Sequence, residues 1–127
     1  EVHVYEKNEK TGKKLYITGK GRCNLTNACD MEELLESVKS NKKFLYSAFY
    51  GFTNQDAYDF FEAEGLKLKV ERGNRVFPLS DRSADVLDTL RRAMRSAGVQ
   101  VHLNTEVKSV RKQEDGFSLQ LADKTIK

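Results

Sequence analysis

Within the stretch Thr18-Gly19-Lys20-Gly21-Arg22-Cys23-Asn24-Leu25-Thr26-Asn27, two glycines alternate with side chains that donate hydrogen bonds or carry positive charge. Gly19 and Gly21 let the backbone approach a ligand closely, and Arg22, Asn24, Thr26 and Asn27 supply donors, a combination suited to anions and polar ring edges. Upstream, Glu6 ends a segment that alternates polar and apolar residues. A carboxylate at the end of a parallel strand is where dinucleotide-binding folds accept hydrogen bonds from adenosine ribose hydroxyls. A tight structural loop and a solubilising strand-end glutamate would account for the same residues. Gly19-x-Gly21 is also not the Rossmann pyrophosphate turn, because Asn24 stands where a third glycine would be and no helix starts there.

Charge adds a local hint. The whole chain carries 22 basic and 19 acidic residues over 127 positions, a balance that argues against a nucleic-acid binder held by charge alone. The early segment is different: Lys7, Lys10, Lys13, Lys14, Lys20 and Arg22 face only Glu1, Glu6 and Glu9, which favours an anionic ligand or else a solvated lysine-rich loop.

The elements that must position these residues follow from periodicity. Glu1–Tyr5 reads as a strand, Lys7–Asn27 as a structured loop, and Met31–Lys39 as a helix capped by Asp30 with Glu33 as capping-box partner. Helices are expected over Lys43–Tyr50 and over Asn54–Glu64, the latter capped by Thr53 and stopped by Gly65. Their aromatics, Phe44, Tyr46, Phe49, Phe52, Tyr58, Phe60 and Phe61, are expected in the core. Leu66–Glu71 and Arg75–Phe77 read as a hairpin turning at Gly73-Asn74 and closed by Pro78. A longer helix begins at Ser80 or Asp81, buries Val86, Leu87, Leu90 and Met94, and ends at Gly98 before a strand Val99–Leu103. The last quarter reads as a meander, Val107–Arg111, Phe117–Leu121 and Thr125 onward. With 39% apolar and 32% charged residues and a single proline, the composition is that of a one-domain globular α/β protein. The absence of a leader and of a membrane-spanning run makes the cytoplasm the expected location. Position 1 falls flush with a strand and the last strand is cut short, so both ends are expected to be interruptions in a longer protein.

The run Glu6-Lys7, then Gly12-Lys13-Lys14-Leu15, then Thr18 to Asn27 closely resembles the BaiN-like flavoproteins, a bacterial family of NAD(P)/FAD-dependent oxidoreductases. Arg75-Val76-Phe77-Pro78-Leu79-Ser80 and the Gly98–Val107 region continue the resemblance across essentially the whole chain. It implies a partial FAD-binding domain of Rossmann-like α/β type, as in two-dinucleotide-domain flavoproteins of the glutathione-reductase kind. Inserted helices, a hairpin and a C-terminal β-meander complete that domain, and the family's N-terminal Gly-x-Gly-x-x-Gly unit and C-terminal remainder are missing. Glu6 would bind the FAD ribose. Gly19, Gly21, Arg22, Cys23 and Asn24 would line the pyrophosphate and flavin side, Val107 would meet the adenine through its backbone, and Lys7 and Lys14 fall in the same matching runs. Arg75 is a weaker candidate for the substrate side. No catalytic acid or base can be named. The resemblance implies an enzyme with FAD as cofactor, NAD(P)H as candidate electron donor and a small-molecule substrate, acting without nucleic acid or membrane. The fragment alone is expected to be inactive and not to retain FAD.

Three other readings compete. Cys23 and Cys29 could form a redox pair, but five residues intervene where flavin disulfide reductases place four. A metal site is disfavoured because His3 and His102 sit in separate strands without close paired spacing, and both are expected at the surface. A nucleotide- or nucleic-acid-binding module without catalysis would need basic residues interleaved with exposed aromatics along one face. The expected burial of the aromatics argues against it.

Overall fold

The computed structural model describes residues 1–126, which form two compact units. The first joins residues 1–13 to residues from 92 onward, and the second is the continuous segment Lys14–Arg91. No helix among the described residues is long and apolar enough to cross a membrane.

In the first unit, β1 (His3–Tyr5) pairs in parallel with β5 (Gln100–His102), with Val4 opposite Val101 and Tyr5 opposite His102. The pairing runs one residue beyond the strand, where the Glu6 N–H donates to the His102 carbonyl at 2.9 Å. Parallel strands require a crossover, which here carries all of the second unit. A separate antiparallel meander follows, β6 (Ser109–Gln113), β7 (Gly116–Gln120) and β8 (Thr125–Ile126), in the order the sequence predicts. Its first strand starts two residues later than Val107.

The second unit is helical around a three-stranded antiparallel sheet. The segment expected to be loop from Lys7 to Asn27 contains a short helix α1 (Lys13–Ile17), a 3-10 turn over Thr18–Gly21 and a two-residue strand β2 (Thr26–Asn27). β2 lies against β4 (Arg75–Pro78), which also pairs with β3 (Leu68–Glu71), so the expected hairpin forms and gains a third strand. Gly73 and Asn74 both take the left-handed φ that its turn requires.

Helix α2 (Met31–Glu36) is capped by Asp30, whose carboxylate accepts from the Glu33 N–H at 2.8 Å. The full reciprocal box forms instead at Thr53 and Asp56, at the start of α4 (Asn54–Ala63). Between them lies α3 (Lys42–Gly51). Helix α5 (Ser83–Ser96) buries Val86 and Leu87 as its periodicity demands.

The core of this unit is Cys23, Leu66 and Val86, packed by Leu15, Leu25, Phe61, Leu68 and Leu90. The expectation that the aromatics fill it fails for α3. Phe44 is 82% exposed, Phe52 58% and Tyr46 38%, and Tyr50 on the same helix is 62% exposed. Amphipathic spacing alone overestimated their burial: α3 turns only Leu45 and Phe49 inward, and Phe61 of α4 is the aromatic that packs on the core.

Candidate functional site

Glu6 stands at the carboxyl end of the parallel pair, where its carbonyl accepts from the Thr105 N–H at 2.9 Å. Val107 lies two residues beyond Thr105, outside any strand. The Asn8 backbone N–H and then its side-chain amide, at 2.8 and 2.6 Å, both fall on Glu6 Oε1. They hold the carboxyl below the usual carboxylate range. The group is therefore ionised at neutral pH, and Oε2 has no hydrogen-bond partner among the described residues. Glu6 thus has one fixed oxygen and one available acceptor. Lys7 is exposed and its charge acts on Glu106.

The glycine block belongs to the second unit. Gly19 and Lys20 take consecutive left-handed conformations, φ 55° and 58°, and Gly21 and Cys23 are also at positive φ. The turn closes through Arg22 N–H to the Gly19 carbonyl and Cys23 N–H to the Thr18 carbonyl. Leu25 N–H then reaches the Val76 carbonyl at 2.8 Å, which hands the chain to β2. A side chain at Gly19 would come within 3.1 Å of the Asn24 backbone nitrogen, whereas one at Gly21 would meet open space. Gly21 thus has room beside it for a side chain, while Gly19 is required by its close approach to Asn24.

Arg22 is committed to the protein itself. Its guanidinium contacts Glu71, holds Asp81 at 2.6 Å and lies 4.1 Å over the centroid of the buried Phe77 ring. Lys69 reaches the same Asp81 carboxylate at 2.6 Å and Glu71 at 3.4 Å. Two cations and two anions therefore neutralise one another, and Arg22 does not present an unpaired charge to a phosphate. Sequence reasoning missed Glu71, Lys69 and Asp81, whose separation along the chain hides the cluster. Only the left-handed Asp81, φ 58°, marks an unusual turn after Pro78.

Cys23 is only 4% exposed and packs beside Leu66 and Val86, with burial pushing its thiol pKa up. Its side chain faces the core, and what the residue offers the loop is backbone shape. Cys29 is partly buried and also free, so both thiols are unpaired. The Asn24 side chain, with its amide oriented to suit its neighbours, donates to the Thr26 and Val76 carbonyls. Lys14 is exposed on α1. Arg75 is exposed, donates to the Arg72 carbonyl and places its guanidinium 5.8 Å from the Phe77 centroid. The structure thus brings Arg22, Arg75 and Gly19 to a single ring, Phe77, whose edge a Gly19 side chain would meet at 3.5 Å. His3 and His102 meet at 3.0 Å across β1 and β5, with Tyr5 stacked 4.9 Å from His102. No group of three or more potential metal ligands occurs among the described residues.

A parallel strand pair, an acid at its carboxyl end and a long α/β crossover with a glycine-rich loop define a Rossmann-like unit. The chain belongs to the family described as HI0933-like protein Rossmann domain, which it matches over residues 1–127, and this is the BaiN-like flavoprotein family whose motifs the sequence carries. Two relatives of known activity align with it. It is 31% identical to the 3-dehydro-bile acid delta(4,6)-reductase of Clostridium scindens over 92% of this chain and 28% of that protein. It is 30% identical to the ribosomal RNA dihydrouridine synthase of Escherichia coli over 98% of this chain and 30% of that protein. The chain therefore spans less than a third of the length of either relative.

Proposed function

We propose that this chain is the part of a FAD-dependent reductase that holds the adenosine end of the cofactor and shapes one wall beside the flavin. The observation that carries the reading is Glu6, an ionised carboxylate preset by Asn8 at the carboxyl end of a parallel strand and tied through its carbonyl to Thr105. In that role Glu6 accepts the ribose hydroxyls, and the backbone near Val107 borders the adenine. The Thr18–Asn24 turn leaves open space beside Gly21 and is held in place by Arg22 through Glu71 and Asp81.

When bound, the flavin supplies a two-electron centre able to deliver a hydride. The two relatives' names describe the same net reaction, saturation of a carbon–carbon double bond. A 3-oxo-4,6-diene and a uracil ring share a double bond conjugated to a carbonyl. We take that group as the substrate feature, with hydride added at one carbon, a proton at the other, and NAD(P)H restoring the electrons. The polarity of the conjugated carbonyl makes its β-carbon the hydride acceptor.

The test is the absorption spectrum of the purified full-length protein, followed by anaerobic NADH or NADPH titration. A flavin spectrum bleached by either nucleotide and recovered by a conjugated enone supports the reading. A colourless protein that takes up no added FAD removes it.

A further inference from the structure

We propose that the exposed side of α3 is a docking surface for a single-stranded segment of RNA. This rests on the reductase reading above and names the substrate class of that enzyme, in place of the small molecule that the sequence suggested.

From Ser37 to Thr53 the chain carries Lys39, Lys42 and Lys43 with Phe44, Tyr46, Phe49, Tyr50 and Phe52, and contains no acidic residue. At 100° per residue, Tyr46, Tyr50, Lys43 and Ser47 share about a third of the helix circumference, with Phe44 flanking them. These are the residues the fold leaves outside: Phe44 and Tyr50 are mostly exposed, and Phe52 extends the patch past the helix end. The Tyr46 and Tyr50 rings meet edge to face at 6.2 Å and both side chains remain exposed, Tyr50 the more so. Lys42 is matched by Glu36, so the nearest acid is neutralised, while Lys39 and Lys43 make no ion pair among the described residues.

Charge and shape together select the occupant. A protein-buried face would accommodate the aromatics but would desolvate two unpaired lysines, a residue type depleted at such interfaces, at a cost. Bases stacked on tyrosine and phenylalanine with phosphates beside lysine meet no such penalty. This is the interleaving of basic residues with exposed aromatics that the buried-aromatic expectation denied. The surface is also tethered to the glycine block. Phe52 leads through Thr53 to Asn54, whose side-chain amide donates to the Asn27 and Cys29 carbonyls at 2.7 Å each. A strand held on α3 is therefore anchored to the same segment that shapes the proposed flavin wall. The relative that acts on ribosomal RNA aligns across this whole region.

The experiment uses the full-length flavoprotein and a fluorescein-labelled single-stranded oligoribonucleotide rich in uridine, with anisotropy read at several salt concentrations. Lys39→Glu with Lys43→Glu should weaken binding at least tenfold and flatten the salt dependence by about 1.4 in log–log slope, for two phosphates released. Tyr50→Ala should weaken it about tenfold with the salt slope unchanged, the signature of a lost stack. Retained flavin and an unshifted melting temperature in both variants identify the effect as one of docking. Unchanged RNA affinity in variants that keep their flavin overturns the inference and leaves the reductase reading standing. So does a fall in melting temperature or a change in oligomeric state, which would show the face to be covered by protein. A wild-type protein without flavin fails the reductase reading itself.

Discussion

The guanidinium carbon of Arg22 lies 4.1 Å above the centre of the Phe77 ring, while Glu71 and Asp81 occupy its nitrogens. This cation is held by an aromatic platform below and two carboxylates beside it, with Lys69 completing the charge balance. Its effect on a ligand is therefore indirect, through the shape of the turn that it anchors to the hairpin. Arg22→Lys keeps the charge but loses the planar fork and the stack, so it is expected to loosen the turn.

The two loop glycines should respond differently to alanine. Both have positive φ, and a left-handed alanine costs about 1–2 kcal/mol. Gly19→Ala adds a 3.1 Å approach to the Asn24 nitrogen, which Gly21→Ala avoids. Thermal melts should rank Gly19→Ala clearly below Gly21→Ala, and equal melting temperatures would contradict the packing role of Gly19.

Acid should unlock the Arg22 cluster. The Arg22 contact lowers the Glu71 carboxyl, and Lys69 followed by Arg22 lowers that of Asp81. Folded-state values below the unfolded ones mean that this stabilisation is complete above the ordinary carboxylate range, about 4, and is lost as pH falls through the depressed values. Stability should stay level down to about pH 5 and drop below about 4. Glu71→Gln with Asp81→Asn should flatten that drop, and 0.5 M salt should shrink it because these groups are partly exposed. An acid profile unchanged by the double substitution would rule the cluster out as its source.

The thiols should separate by access. Cys23 is in the core, and Cys29 is partly buried with its pKa raised by burial and then by Glu33. Ellman's reagent should modify Cys29 slowly in the native protein and reach Cys23 only under denaturant. A native disulfide formed under mild oxidation would instead revive a redox pair.

Glu6→Gln preserves size while removing the anionic acceptor. One charge-assisted hydrogen bond lost to ribose corresponds to roughly tenfold weaker cofactor retention. The flavin-to-protein ratio after dialysis measures it, and undiminished flavin in the variant would detach Glu6 from the cofactor.

Strand and helix periods made most elements legible, including the hairpin at Gly73-Asn74 and the long helix ending at Gly98. β2 was not, because two polar residues, Thr26 and Asn27, carry no period and pair only through a strand some fifty positions away. The charge cluster was hidden for the same reason, since Arg22, Lys69, Glu71 and Asp81 converge only after folding. Glu6 was legible because its place at a strand end is local. The burial of the α3 aromatics was misjudged because spacing shows that a helix has an apolar side, and not how much of that side finds a partner.

The parallel pairing of β1 with β5 also dictates an order of events in time. His3 and His102 meet across 99 positions, a loop whose closure is entropically costly while the intervening chain is loose. Once Lys14–Arg91 has condensed through its shorter-range contacts, the free length left to close is small. That segment should therefore gain hydrogen-exchange protection first in refolding, and the strand ladder carrying Glu6 should be among the last backbone to lock.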